Sequence, residues 1–292
     1  MKNNFKSIMQ NYNNSLDRDF SFVQLGCNDG KMADPIFELI YENGWNNGLF
    51  VDADIHYLRE AQALYNHTCP GRDFTFANVG MVTFSDREIQ NTNLRKFFSI
   101  NPDVLIPKLV QHGDDYFWVY GTEPIKLTNN PLLELMPGFS VDVINSPLNY
   151  LQGVGSFDYD FVLDHFRNII SKGINEDGRP DISAYIARNL FTEDTLEHRK
   201  YIKMQIVPVM TLNEILCFKE FENIDLLQTD LETWDVKILA DLDKFSHKPK
   251  FIHFEAPGAH GGVDKSLRSK FKECGYSLNK MNDTRDYLAE LL

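Results

Sequence analysis

FVQLGCNDG (Phe22–Gly30) carries an apolar segment directly into a glycine-rich turn. The residues leading into that turn, SFVQLG (21–26), read as a short buried strand that stops at glycine. Asp34-Pro35 then opens a helix, with aspartate as N-cap and proline at the first helical position. That helix, PIFELIYENG, ends at Gly44, where a C-terminal glycine is expected. Strand, glycine turn and helix in this order form the first unit of an α/β sheet.

The same rhythm extends outward. GLFVDA (48–53) is a second strand, a helical stretch surrounds 55–66, and DFTFANVGM (73–81) reads as a third strand. It resumes near residue 201 with the strand-like YIKMQIVPV. Thr211-x-x-Glu214 is a capping box for the helix TLNEILCFKEF. IDLLQTD (224–230) is a buried strand, followed by a helix across 234–243, the strand FIHFEA (251–256) and a helix across roughly 264–274. GYSLNKMNDTRDYLAEL closes the chain as strand, turn and strand. The pattern implies a mostly parallel sheet with helices on both faces and a C-terminal antiparallel hairpin. Residues 1–19 form a polar arm or short helix laid on the domain. The stretch from about 90 to 200 breaks the rhythm and is too long for a bare loop. It reads as a large insertion at the open end of the sheet, with its own helices, one at 158–171.

A net charge of −13 disfavours a partner held by its phosphate backbone, because such binders need a basic surface. Hydrophobic and charged fractions of 43% and 24% are those of a globular protein. No apolar run reaches the roughly 18 residues of a membrane span, and the N-terminus is too polar for a signal peptide. Cys27, Cys69, Cys217 and Cys274 make no metal-ligand spacing and fit reduced thiols. A cytoplasmic protein is expected, with no nucleic-acid or membrane partner; a homo-oligomer stays open.

Ligands of open α/β sheets bind beyond the carboxyl ends of the strands. The turn Gly26-Cys27-Asn28-Asp29-Gly30 lacks the third glycine of a dinucleotide fingerprint, which disfavours a pyrophosphate. Asn28 and Asp29 suit a ligand with a cationic or amino-acid end, as in S-adenosylmethionine. Asp52, 26 residues after Gly26, can accept both ribose hydroxyls. Asp54 is the near alternative and reads equally as the N-cap of the next helix. Asn78-Val79-Gly80 follows the third strand, where an adenine ring would lie. Asp230 and Glu232 leave the fourth strand on alternate residues, at the edge where methyl donor and acceptor would meet. A capping box over Thr229 and Glu232 is the structural alternative.

FVQLGCNDG (22–30), NVGMV (78–82), VPVMTLNEIL (207–216), IDLLQTDLETWDVKIL (224–239) and FIHFEA (251–256) resemble successive blocks of FkbM-type methyltransferases, in the same order. GVGSFDYDFVLDHF (153–166) resembles a further block, and most of 83–152 is unmatched. The resemblance implies a single domain over residues 1–292 with a Rossmann-like methyltransferase fold and S-adenosylmethionine as cofactor. It also implies O-methylation of a sugar, glycan or secondary-metabolite hydroxyl. It places cofactor contacts on Gly26, Asn28, Asp29, Gly30, Asp52, Asn78 and Val79, with Asp230 and Glu232 at the active-site rim. Thr233 departs from the family's usual glycine, and Asp52-Ala53 replaces its usual Glu-Pro.

An alkyl hydroxyl needs a base to remove its proton. Asp230 is the first candidate; His165, His253 and Glu255 follow. A divalent ion on Asp230 and Glu232 is an alternative, although no further ligand is evident, so a metal requirement stays open. Tyr116, Phe117, Trp118 and Tyr120 suit either stacking on an acceptor or packing of the insertion. The rival readings are an NAD-linked oxidoreductase and a catalytically silent S-adenosylmethionine-binding domain.

Overall fold

The computed structural model describes residues 5–31, 34–90, 93–100, 108–112, 115–120, 123–126, 155–164, 202–231, 234–256, 262–281 and 285–292. The chain divides into two compact units, one of residues 1–96 and 206–292, the other of residues 97–205.

The first unit opens with helix α1 (Phe5–Ser15), then alternates β1 (Ser21–Leu25), α2 (Phe37–Asn43), β2 (Asn47–Asp52), α3 (Ile55–Thr68) and β3 (Asp73–Asn78). After β4 (Gly80–Met81) come α4 (Phe84–Gln90) and β5 (Leu94–Ile100), which reaches the second unit. The second unit holds β6 (Lys108–His112), β7 (Asp115–Tyr120), β8 (Glu123–Lys126) and β9 (Gly155–Ser156). β10 (Ile202–Met210) leads back to α5 (Leu212–Ile215), β11 (Leu226–Thr229), α6 (Asp235–Leu239), β12 (Phe251–Glu255), α7 (Lys265–Glu273), β13 (Tyr276–Lys280) and β14 (Asp286–Leu291).

Seven strands of the first unit form one sheet in the order β13-β14-β12-β11-β1-β2-β3. β3, β2, β1, β11 and β12 pair in parallel. β14 runs antiparallel to both β12 and β13, so the closing hairpin has the expected sense. Successive residues of β1 serve opposite faces, as the strand period of two requires. Phe22 joins Phe50, Leu226 and Phe251 beneath α1, α2 and α3; Val23 and Leu25 join Leu49, Leu227 and Ile252 beneath α5, α6 and α7. Helices therefore cover both faces, and every residue of β1 is buried. In the second unit β7 pairs antiparallel with β6 and β8, and β5 pairs with β9 at Phe98–Ser156 and Ser99–Gly155.

Several boundaries differ from the sequence reading. The expected strand 73–81 breaks at Asn78, and Gly80–Met81 pairs in parallel with β10 in another sheet. The break is enforced where the Asn78 amide donates to the carbonyls of Asp52 and Ala53. α2 begins at Phe37, not Pro35, because the Asp34 carboxylate closes a turn on the N–H of Ile36 instead of capping the helix. The Thr211–Glu214 capping box is present, but its α-helix lasts only to Ile215 and continues as a 3-10 turn. Gly44 is left-handed at the end of α2, as read from the sequence. Of the helix expected at 158–171, residues 159–164 are described and helical.

Candidate cofactor and active site

β1 is the strand at which the sheet order turns, with β2 and β3 on one side and β11 and β12 on the other. Such a point opens a crevice beyond the carboxyl ends of the strands. Three of those ends are stitched together by backbone. The N–H groups of Gly26 and Cys27 both donate to the Val51 carbonyl, at 2.9 and 3.1 Å, and the Asp230 N–H donates to that of Leu25 at 2.9 Å. Gly26 is left-handed (φ 75°), and a Cβ on it would lie 1.9 Å from the Asp230 carbonyl oxygen. Only glycine fits where those two backbones cross.

Asn28 is the one non-glycine residue in the left-handed region among the described residues (φ 46°). Its N–H donates to Asp52 Oδ2 at 2.8 Å, while Asp52 Oδ1 accepts the Asp54 N–H at 2.7 Å. Each carboxylate oxygen keeps a further lone pair for a ligand hydroxyl. The Asn28 side-chain oxygen is buried and has no hydrogen-bond donor. Asn78 holds the carbonyls of Asp52 and Ala53 from β3 at 2.9 and 3.0 Å, and Val79 behind it is buried. Asp29 accepts the Lys31 N–H at 2.9 Å, and the Gly30 carbonyl accepts the Tyr65 hydroxyl of α3 at 3.1 Å. Asp54 is the N-cap of α3, accepting from the His56 N–H, so the capping alternative holds for it.

Asp230 leaves β11 with its side chain exposed, yet desolvation, then the like charges of Glu255 and Asp286, push its carboxyl up to about 6. Exposure and desolvation coexist for a side chain that solvent reaches but protein walls in. Burial also raises Asp52 and Asp34 to about 6, and Asp230 adds to both. No lysine, arginine or histidine among the described residues forms an ion pair with Asp34, Asp52 or Asp230. The strand ends thus concentrate negative charge that suits a cation. Helix α6 starts only at Asp235, so Thr229 is not its N-cap. Asp235, fully buried, accepts the Leu231 N–H with both oxygens at 3.1 Å and holds the segment just after Asp230.

The structure brings Gly26, Asn28, Asp29, Gly30, Asp52, Asn78, Val79 and Asp230 to adjoining strand ends. Glu232, Thr233 and His165 lie outside the described residues, as do the side chains of Tyr116, Phe117, Trp118 and Tyr120. His253 sits inside the fold, its ring stacked 4.2 Å from Phe5 and its Nδ1 2.7 Å from Gln228 Oε1. Burial lowers it to about 4 and keeps it neutral. Glu255 lies at the end of β12, beside Arg285 at 3.4 Å. Sequence reasoning gave no role to Asp235 or Gln24. The signal for Gln24 was a lone amide in an apolar strand.

Among the described residues no group of three or more His, Cys, Asp or Glu side chains is placed to hold a metal ion, and no helix is long and apolar enough to cross a membrane. No curated protein matches the chain. The model of the methyltransferase FkbM domain matches residues 10–278, a span that takes in β1 to α7 and reaches into β13, and the chain therefore belongs to the FkbM methyltransferase family.

Proposed function

We propose that this methyltransferase uses S-adenosylmethionine and transfers its methyl group to a hydroxyl of a sugar, glycan or secondary-metabolite acceptor, on a Rossmann-like sheet. The observation that carries the reading is the uncompensated negative charge around the Gly26–Gly30 turn, where Asp34, Asp52 and Asp230 have no cationic partner among the described residues. A cationic sulfonium donor complements it; a dinucleotide pyrophosphate would be repelled. When bound, S-adenosylmethionine supplies an electrophilic methyl group. Asp52 accepts the ribose hydroxyls, Gly26 lets the turn close against the Asp230 backbone and so shapes the cofactor loop, and Asn28, Asp29, Gly30, Asn78 and Val79 line the remaining contacts. Asp230, ionised above about pH 6, takes the proton of the acceptor hydroxyl, and Glu232, two residues on in the sequence, is the second carboxylate assigned to the step. Four free cysteines accord with a reducing, cytoplasmic setting.

Calorimetric titration with S-adenosylhomocysteine, with NAD in parallel, tests the cofactor. Micromolar binding that disappears in Asp52→Ala is expected. Preference for NAD, or no binding of S-adenosylhomocysteine, would sink the reading.

A further inference from the structure

Trp234 stands at the entry to α6, four residues after Asp230. Its N–H donates to the Leu231 carbonyl at 3.0 Å, and Asp235 holds the Leu231 N–H. A turn closed in this way keeps its end residues within about 7 Å of each other, so Trp234 stays beside the segment that carries Asp230. Two cations gather on its indole. Lys237 Nζ lies 4.2 Å from the ring centroid, and Cζ of Arg95, near the start of β5, lies 5.7 Å from it. All three residues belong to the first unit.

The face of the ring attracts each cation, but the cations repel one another. Sharing one ring brings their charges within about 10 Å, roughly one Debye length at ordinary salt, where screening is incomplete. Lys237 is exposed and has no ion-pair or hydrogen-bond partner among the described residues. The Arg95 side chain is 14% exposed and meets Asp86 at 3.7 Å. A neutral ligand leaves the repulsion in place, and a cationic one adds to it. A carboxylate or phosphate relieves it and brings several acceptors to the donors of an ammonium and a guanidinium. We propose that Lys237 and Arg95, gathered by Trp234, form an anion subsite for the acceptor, which is therefore a hydroxyl compound carrying a carboxylate or phosphate. This rests on the methyl-transfer reading above and names the acceptor's class. The net charge of −13 opposes an anionic ligand in general, so such an acceptor needs a local pair of cations. Asp34, Asp52 and Asp230 repel its charged end, which is held at Trp234 while the hydroxyl end is left towards Asp230.

The test follows the Trp234 indole N–H by NMR in the full chain saturated with S-adenosylhomocysteine. Inorganic phosphate and acetate are titrated in, with sodium chloride at matched ionic strength as control. A saturable shift with phosphate or acetate, and none with chloride, is expected. The tighter of the two anions tells whether the acceptor carries phosphate or carboxylate. Lys237→Gln and Arg95→Gln are each expected to weaken that binding about tenfold, the size of one charge-assisted hydrogen bond. Their affinity for S-adenosylhomocysteine is expected to stay within about twofold of wild type. Lys237 is exposed, so its variant serves if Arg95→Gln does not fold. A response equal to that of chloride, or one that both variants leave unchanged, overturns the subsite and leaves the two cations as packing on the indole. An equal loss of S-adenosylhomocysteine binding in Lys237→Gln also overturns it, because the lysine then supports the fold. The two failures are separable. A wild-type protein that binds no S-adenosylhomocysteine loses the cofactor reading and the acceptor role with it, whereas one that binds it and ignores both anions loses only the subsite.

Discussion

Asp230 joins solvent access to a carboxyl that titrates near 6, a pairing suited to a group that must gain and lose a proton close to neutrality. The turnover rate is expected to rise with pH through about 6 and level off above it, and Asp230→Asn to lower kcat by about 10²- to 10⁴-fold, as loss of general base catalysis does. A pH–rate profile of both proteins checks this. The same group affects stability with the opposite sense. Its folded-state value lies above the ordinary 3.8, so its contribution to stability is complete below about pH 4 and lost as pH rises through 6. Thermal unfolding of Asp230→Asn should match wild type near pH 4 and exceed it at pH 7; a constant difference would contradict the assignment. Gly26 is constrained by contact instead of charge. Gly26→Ala forces a methyl group into the Asp230 carbonyl, and loss of S-adenosylhomocysteine binding together with a lowered melting temperature is expected. The glycine was legible in the sequence as a turn residue. That its partner is the backbone of Asp230, 204 residues later, was not, because the approach exists only once β1 and β11 pair.

At the scale of elements, α1 is fastened to the amino edge of the sheet by Asp225, whose side chain is 1% exposed. Arg18 grips it at 2.7 and 2.6 Å, the Tyr12 hydroxyl donates at 3.1 Å, and the Ser21 N–H at 2.8 Å. Arg18→Ala leaves a buried carboxylate with fewer donors and is expected to cost about 1.5–3 kcal/mol, the range for hydrogen bonds to charged groups. Denaturant unfolding measures the cost, and amide exchange should show α1 opening first. Phe50 of β2 lies among Phe22, Tyr65, Phe74 and Phe76 at centroid distances of 5.3, 4.5, 5.4 and 4.9 Å. Phe50→Ala should lose about 3–5 kcal/mol through the cavity it leaves. Strands and long helices were legible from periodicity, since burial imposes it. Short helices were not: α5 gives way to a 3-10 turn after Ile215, α6 ends at Leu239, and Asp34 closes a turn where its position suggested a cap.

For the whole molecule, a ligand that binds only the folded state at 100 times its Kd stabilises by about 2.7 kcal/mol, and S-adenosylhomocysteine should raise the melting temperature by roughly 5–10 °C. Local order along the chain was determined by sequence alone: alternating strands and helices, a glycine turn after the first strand, a closing hairpin and an acidic surface balance. These follow from side-chain periodicity, backbone freedom and charge, which neighbouring residues set. Only the tertiary structure decided that the chain leaves the large sheet after Asn78 and that His253 is sealed beneath Phe5. It alone set Gln24 against Asp34 and placed Asp34 and Asp52 each within reach of the charge of Asp230. Desolvation and close approach depend on which distant segments pack together, and no local pattern encodes them.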